Sequence, residues 1–464
     1  MFRIFRHYIP KTLLMLGLAE ALILMVSVYI GAILRLSEAE PHVGSVVGGD
    51  LFAKAGIFTL VMFAVMMAMG LYQRDSRDEP RTVLMRLGLS FGIGLLMMSI
   101  VHALDPALVV GNSAFAVALL ASFVGIASCR FLCISRTDSR LSRRVLVLGV
   151  GEKAQQIAQL RRRTDQHGVT VVGFVDLGVD ARQVDVRNIF SIRSTLHELV
   201  ERHEIDEIVV ALDDRRNKLP VDDILHCKMQ GIEVIDAPVF FERQLGKIRL
   251  DTFQPGNVIF SDGFTQAVLK TGSKSLFDVA ASLGLLLAAA PVMLLTVLAI
   301  LLESRGQGPV LYRQERVGAF GRFFNVYKFR SMRVDAEKNG AVWARQNDDR
   351  VTLVGRFIRK TRIDELPQLF NVLKGDMSFV GPRPERPQFV SELGKAFPYY
   401  NLRHNVKPGI TGWAQICYPY GASVDDSREK LQYDLYYLKN YSLFLDLTIL
   451  LQTAQVILWG KGSR

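Results

Sequence analysis

Apolar positions are distributed unevenly along the chain. Four long apolar stretches, Thr12 to Leu34, Leu51 to Tyr72, Leu87 to Leu104 and Pro106 to Cys129, fill the first third. Each approaches the ~20 residues a helix needs to cross a bilayer, which predicts four transmembrane helices within residues 1–135. The first is too long for a signal-peptide core and lacks a small-residue cleavage site, so it is expected to stay in the chain. Glu20 falls inside it, where a charge is costly, and reads either as a functional contact or as a structural acid that snorkels or faces the bundle.

A fifth apolar stretch, Val279 to Leu302, carries Pro291 near its middle. Proline removes a backbone hydrogen bond and crowds the preceding turn, so a kink is expected there. Each arm, about twelve residues at ~1.5 Å each, spans only ~18 Å against a ~30 Å hydrocarbon core. A re-entrant helix over 276–302, entering and leaving on one face, fits these lengths. One kinked full span is the alternative, and it would place everything after residue 303 on the other side.

At Arg144 the pattern changes to short apolar runs, "VLVLGV" (145–150), "VTVVGFVD" (169–176), "DEIVVALDD" (206–214) and "GIEVIDAP" (231–238), separated by helix-compatible stretches. That alternation predicts a Rossmann-like parallel α/β domain over 143–245, followed by a linker over 246–271. Gly149, Gly151 and Ala154 form G-x-G-x-x-A after the first strand, and Asp176 ends the second, where a ribose-binding acid would sit. A tight strand-to-helix turn needs such glycines whether or not a dinucleotide binds, so the match is a weak cofactor signal.

In the last third, "FFNVYKFRSM" (323–332) alternates so that Lys328 and Arg330 share one face of a strand and Tyr327 and Phe329 the other. A point charge beside a planar fork suits phosphate oxygens. Further on, Ile363, Leu366, Phe370 and Leu373 follow one helical face, with Pro367 tolerated only in a first turn. The helix is therefore expected to begin at about Asp364 and end near Gly375, placing Asp364 and Glu365 at the positive end of its dipole. An acid there caps a helix in many proteins. A cap alone does not account for Arg359 and Arg362 just before it, or for the rigid "VGPRPERP" (380–387) after it. Cations flanking carboxylates make sense where a phosphate and a metal ion are held together.

Composition sharpens the membrane reading. Half of the 464 residues are hydrophobic and the net charge is +11, too greasy for an ordinary soluble protein. The basic excess by itself admits nucleic acid, anionic lipid or a phosphorylated substrate, and its placement decides for membrane lipid and phosphate, with no nucleic-acid partner expected. Arg3, Arg6 and Lys11 precede the first span; Arg74, Arg77, Arg81 and Arg86 fall between the second and third; Arg130, Arg136, Arg140, Arg143 and Arg144 follow the fourth. Residues 35–50 hold only Arg35 against Glu38, Glu40 and Asp50. The positive-inside rule puts both ends of the four-helix unit on the cytoplasmic side of the membrane. Cys129, Cys133, Cys227 and Cys417 have neither disulfide-framework nor zinc-site spacing.

The segments "KSLFDVAASLGLLLAAAPVMLL", "GPVLYRQERVGAFGRFFNVYKFRSM", "RVTLVGRFIRKTRIDELPQLFNVLKGDMSFVGPRPE", "RHNVKPGITGWAQ" and "YDLYYLKNYSLFLD" resemble, in order over residues 272–464, the bacterial sugar transferase family of polyprenol-phosphate sugar-1-phosphate transferases. The four spans and nucleotide-fold-like domain resemble the long members of that family, and details of the chain are also similar to the branch associated with exosortase-type exopolysaccharide clusters. The resemblance implies a membrane α plus α/β protein whose C-terminal catalytic domain has a re-entrant helix and amphipathic interfacial helices. It implies transfer of a hexose-1-phosphate from a UDP-hexose to undecaprenyl phosphate, with release of UMP. Asp364 matches the nucleophile and Glu365 a Mg2+ ligand; Lys328, Arg359 and Arg383 match phosphate-binding positions, and Asp434 a further acid of the site. Pro291 matches the break of the membrane helix, although the preceding residue, often serine in the family, is Ala290 here. A homodimer is a further expectation. Two other classes compete: nucleotide-sugar modification with NAD by the middle domain, which lacks a Tyr-x-x-x-Lys pair between 143 and 270, and a membrane scaffold for polysaccharide export, which leaves Asp364 and Glu365 unused.

Overall fold

Long apolar helices and short β-α repeats demand different surroundings, and they follow one another along the chain. A computed structural model describes residues 2–4, 7–9, 11–36, 49–72, 80–108, 110–136, 142–160, 168–178, 180–185, 189–191, 195–214, 219–253, 256, 263–264, 268–334, 349–418, 421 and 423–459. It forms two compact units, Tyr8–Gly246 with Met1–Ile4, and Lys247–Arg464 with Phe5–His7. Near the N-terminus, β1 (Phe2–Ile4) and β2 (His7–Ile9) make a two-stranded sheet.

In the first unit, α1 (Lys11–Leu36), α2 (Gly49–Ala68), α3 (Pro80–Leu104) and α4 (Asn112–Arg136) are apolar on every side. Leu24, Phe58, Met62, Leu87 and Ile126 fill the interior, while Leu18, Leu22, Leu60 and Leu120 lie exposed on the outside, the arrangement of a bundle solvated by lipid. Small residues let α1 and α4 approach: a Cβ on Gly31 would meet the Ala114 carbonyl oxygen at 2.3 Å, and one on Gly125 would meet Ile23 at 2.7 Å. Glu20 is fully buried and ion-paired to Arg130, with Nε 2.6 Å and Nη2 2.9 Å from its oxygens. Tyr72 donates its hydroxyl to the same carboxylate, and Arg130 Nη1 donates to the Leu71 carbonyl at 3.0 Å. Arg130 therefore lies inside the fourth helix, facing the bundle, rather than in the loop after it. Likewise Arg81 and Arg86 lie in the first turns of α3, and Pro106–Leu108 forms a separate 3-10 turn ahead of α4.

The α/β part of this unit comprises β3 (Arg143–Leu148), α5 (Glu152–Ala158), β4 (Val169–Asp176), β5 (Ile189–Ser191), α6 (Leu196–Arg202), β6 (Glu207–Val210), α7 (Val221–Met229), β7 (Glu233–Asp236) and α8 (Ala237–Leu245). The sheet order is β5-β4-β3-β6-β7, parallel throughout, as the alternation predicts; the three-residue edge strand β5 is the part that pattern does not show. Two-residue periodicity sends Val145 and Val147 to one face, against Ile157, Phe240 and Phe241, and Leu146 and Leu148 to the other, against Leu199, Ile224 and Cys227.

In the second unit, α9 (Val268–Glu303) runs 36 residues, ~54 Å, and the helix continues across Pro291. It is the fifth helix, among the described residues, long and apolar enough to cross a membrane. Strands β8 (Leu311–Val317) and β9 (Phe323–Phe329) form an antiparallel hairpin, and β10 (Ser378–Val380) pairs in parallel with β11 (Gly409–Thr411). Around them pack α10 (Leu353–Lys360), α11 (Gln368–Lys374), α12 (Pro387–Ala396), α13 (Trp413–Cys417), α14 (Val424–Lys439) and α15 (Leu443–Trp459). The stretch read as a linker belongs to this unit: the Ile248 amide donates to the Gln432 carbonyl at 3.0 Å, and Lys247 pairs with Glu429 at 2.5 Å.

Candidate active site

The hairpin, the turn after α10 and the loop after β10 converge on one cleft of about 420 Å³. Among the described residues, eleven basic side chains and three acidic ones line it, so an anion entering meets a large positive excess.

Strand alternation sets the first cations. Tyr327 turns away, its hydroxyl accepting from Lys374 at 3.0 Å, while Lys328 and Arg330 line the cleft. Arg330 is held by the Gln307 carbonyl at 2.8 Å. Asn371, fully buried on α11, locks the strand in register: it accepts from the Tyr327 amide at 3.1 Å and donates to the Asn325 carbonyl at 2.7 Å.

The two carboxylates sit in a 3-10 turn, Ile363–Glu365, and not in the first turn of the following helix. Pro367 is the N-cap residue of α11, and Gly375 closes that helix with φ +85°. Pro367 lacks the amide hydrogen an interior position requires, so the helix proper starts after it. Arg362, just before the turn, adopts φ +61°, a left-handed conformation costing about 1–3 kcal/mol in a residue with a side chain. That bend turns the chain sharply after α10 and brings Arg359, Arg362 and Asp364 to the cleft wall.

The two acids differ. Asp364 lines the cleft, whereas Glu365 is anchored behind it: Oε1 accepts from Lys328 Nζ at 2.7 Å and Arg383 Nη2 at 3.3 Å, and Oε2 lies 3.7 Å from Arg362 Nη1. Burial pushes Glu365 up, but Lys328, then Arg383 and Arg362, overcome it and hold the carboxyl well below its ordinary range. For Asp364, burial first and the Glu365 charge second raise the carboxyl to about 6. Glu365 is thus a fixed anion, and Asp364 is the acid presented to whatever enters.

Arg383 also donates to Gln415 at 3.1 Å, and its backbone is held from behind. Buried Arg403 donates to the Arg383 carbonyl at 2.9 Å and to the Tyr400 hydroxyl at 2.8 Å, and pairs with Asp434 at 2.8 Å. Asp434, on α14, thus lines the cleft and is linked to Arg383 through Arg403. Sequence reasoning passed over Arg403, although it opens the "RHNVKPGITGWAQ" segment; a buried arginine carries no signal until its partner is known.

The middle-domain residues are accounted for by their fold. Gly149 has φ +118°, and a Cβ on Gly151 would stand 2.0 Å from Asp213 Oδ2. The Asp213 carboxylate already accepts from the Glu152 amide at 2.7 Å and the Lys153 amide at 3.2 Å, the donors a pyrophosphate would use. Asp176 is engaged by Arg182 at 2.6 Å and by the Gly178 amide at 2.8 Å.

Among the described residues no group of three or more His, Cys, Asp or Glu side chains converges as a metal cage. With Glu365 Oε1 shared by Lys328 and Arg383, the oxygen donors are Glu365 Oε2 and the Asp364 carboxylate. One or two carboxylates completed by phosphate oxygens and water is the usual Mg2+ arrangement, so this donor set fits that ion.

Residues 269–460 match the bacterial sugar transferase family, and residues 67–226 match a family described as a CoA-binding domain. Over 244 residues the chain is 44% identical to the UDP-N-acetylgalactosamine-undecaprenyl-phosphate N-acetylgalactosaminephosphotransferase of Aeromonas hydrophila, covering 52% of this chain and 56% of that one. It is 38% identical over 336 residues to the undecaprenyl-phosphate glucose phosphotransferase of Komagataeibacter xylinus, covering 70% of this chain and 60% of the relative. With the UDP-glucose:undecaprenyl-phosphate glucose-1-phosphate transferase of Xanthomonas campestris pv. campestris it shares 32% identity over 354 residues, 72% of this chain and 70% of the other. The matches thus span somewhat over half the length of the first two relatives and more than two thirds of the third. With the cationic cleft and its aspartate-glutamate turn inside the matched region, the chain belongs to the bacterial sugar transferase family.

Proposed function

We propose that this protein transfers a hexose-1-phosphate from a UDP-hexose to undecaprenyl phosphate, releasing UMP, as the first membrane step of exopolysaccharide or O-antigen synthesis. The observation that carries this reading is Asp364 presented to a strongly cationic cleft beside a glutamate already neutralised by Lys328 and Arg383. The three relatives differ in the sugar their names give but share the lipid acceptor, which supports the acceptor and leaves the hexose open.

The chemistry follows from charge. An Asp364 oxygen attacks the sugar-bearing phosphorus in line, the bond from that phosphorus to the UMP oxygen breaks, and the aspartyl phosphosugar remains. A phosphate oxygen of the lipid then attacks the same phosphorus, and the bond to Asp364 breaks, returning the carboxylate. Lys328, Arg330, Arg359 and Arg383 draw charge from the phosphoryl oxygens as each bond shifts. Mg2+, held by Glu365, would add neutralisation of the diphosphate when bound. Arg403 and Asp434 keep Arg383 aimed.

Because the acceptor never leaves the bilayer, the cleft belongs at the inner-membrane surface, on the cytoplasmic face where nucleotide sugars are made. A re-entrant α9 keeps the cleft on that side, a reading supported by the two apolar arms of about twelve residues on either side of Pro291 within Val279–Leu302 and by the basic residues flanking α1. A homodimer belongs to the same reading, to be read from its mass in solution.

The test is UMP release by the full chain in lipid nanodiscs with undecaprenyl phosphate, Mg2+ and a panel of UDP-hexoses, alongside Asp364→Asn. Release by the wild type that is lost in the variant, and a hexose-phosphate mass gained at Asp364 without acceptor, are expected. Equal release by both proteins removes the nucleophile assignment.

A further inference from the structure

Away from the cleft, the second unit buries a charged cluster that the chemistry above does not use. Lys274, near the start of α9, is 5% exposed, and Asp446, on α15, is 1% exposed; their Nζ and Oδ2 atoms are 2.6 Å apart. Tyr437 of α14 donates its hydroxyl to Asp446 Oδ1 at 2.7 Å. Lys274 Nζ also donates to one backbone atom, the Val380 carbonyl oxygen, at 3.1 Å, and the same oxygen lies 3.0 Å from the Tyr437 hydroxyl, whose single hydrogen it shares with Asp446. One turn along α9, Asp278 accepts from the Phe379 amide at 3.2 Å.

Val380 is the last residue of β10, and Gly381, Pro382 and Arg383 follow it directly. A Cβ on Gly381 would meet the Lys407 carbonyl at 2.4 Å, so the strand end has no room to shift on that side. The cluster therefore grips the base of the loop three residues before the arginine that binds Glu365. Burying an ion pair is a poor way to gain stability, since apolar residues of the same volume serve as well or better. What such a pair supplies is direction: two charged groups and a hydroxyl satisfy one another only in one arrangement.

We propose that Lys274 and Asp446 are positioning residues of the phosphoryl-transfer site, tying the membrane helix to the Val380 carbonyl so that the loop aims Arg383 at Glu365. The structural claim, that the pair holds this loop, stands by itself; the kinetic consequence rests on the proposed transfer reaction. A small displacement of a charged group at such a site is enough to slow the chemistry ten- to a hundredfold, on the order of known positioning effects.

The experiment compares the full-length protein in nanodiscs with Lys274→Met/Asp446→Leu, which removes both charges at similar volume, and with Tyr437→Phe, which removes one hydroxyl and guards against a double variant that fails to fold. Amide exchange over Phe379–Arg383 is expected to rise about tenfold in the double variant and less in Tyr437→Phe, with the apparent Tm unchanged or raised. In UMP release from UDP-glucose and its C4 epimer, kcat is expected to fall by about tenfold or more while KM stays within about twofold. Exchange at wild-type level in these loop amides, or a kcat that follows only the fraction of folded protein, overturns the assignment. If the wild type itself releases no UMP from any UDP-hexose, the transfer reading fails, and the exchange measurement alone decides whether the pair holds the loop.

Discussion

Asp434→Asn separates the two things the buried Arg403 network does. Arg403 and Asp434 are 7% and 2% exposed at their side chains and 2.8 Å apart, so neither charge has water to fall back on. The substitution keeps the shape of the acid and removes its charge, leaving Arg403 as an uncompensated buried cation. Breaking a buried pair from one side costs about 3–5 kcal/mol. For a unit of this size, Lys247–Arg464, that corresponds to a fall in apparent Tm of about 6–20 °C. The double variant Arg403→Met/Asp434→Leu leaves no orphaned charge and is expected to recover most of the loss. Its activity is not expected to recover, because the Arg383 carbonyl still lacks the donor that holds it at 2.9 Å. Thermal unfolding and UMP release of wild type, single and double variants in the same nanodiscs read both effects. A double variant as unstable as the single one, or as active as the wild type, would refute the reasoning.

Two further outcomes are expected. Asn371→Ala removes two buried hydrogen bonds and strands the Tyr327 amide and the Asn325 carbonyl; a loss of about 1–3 kcal/mol in unfolding measurements is expected, together with weaker release of UMP as Lys328 loses its register. His404 is held down to about 4, by burial first and by Arg403 second, against an ordinary value of 6.5. Because its folded pKa is depressed, the unfolded chain binds the proton first, so stability is full above pH 6.5 and is lost as pH falls from 6.5 towards 4, by up to about 3 kcal/mol. Denaturant unfolding of the wild type and His404→Gln at pH 7.5, 6 and 5 checks this, the variant being expected to lose less; equal acid sensitivity would remove His404 as the cause.

The long apolar runs were readable because lipid imposes one requirement, roughly twenty apolar residues in a row, that needs no knowledge of neighbours. The parallel sheet was readable for a related reason: strands buried on both faces are apolar throughout, and crossover helices space them regularly. The three-residue strand β5 and the 3-10 turn around Asp364 were not, since both are too short to set up a period.

The residue types of the site, two adjacent acids among arginines and lysines, and their chemistry belong to the amino-acid sequence itself. Which acid faces the cleft, which is tethered, and which cations are spent on structure were decided only by the tertiary fold. Glu20 and Arg130 lie 110 positions apart, Lys274 and Asp446 172 apart, and in each case a costly buried charge is satisfied by a partner that no local pattern announces. The physical reason is that burial, not composition, sets the value of a charge, and burial is a property of the packed whole.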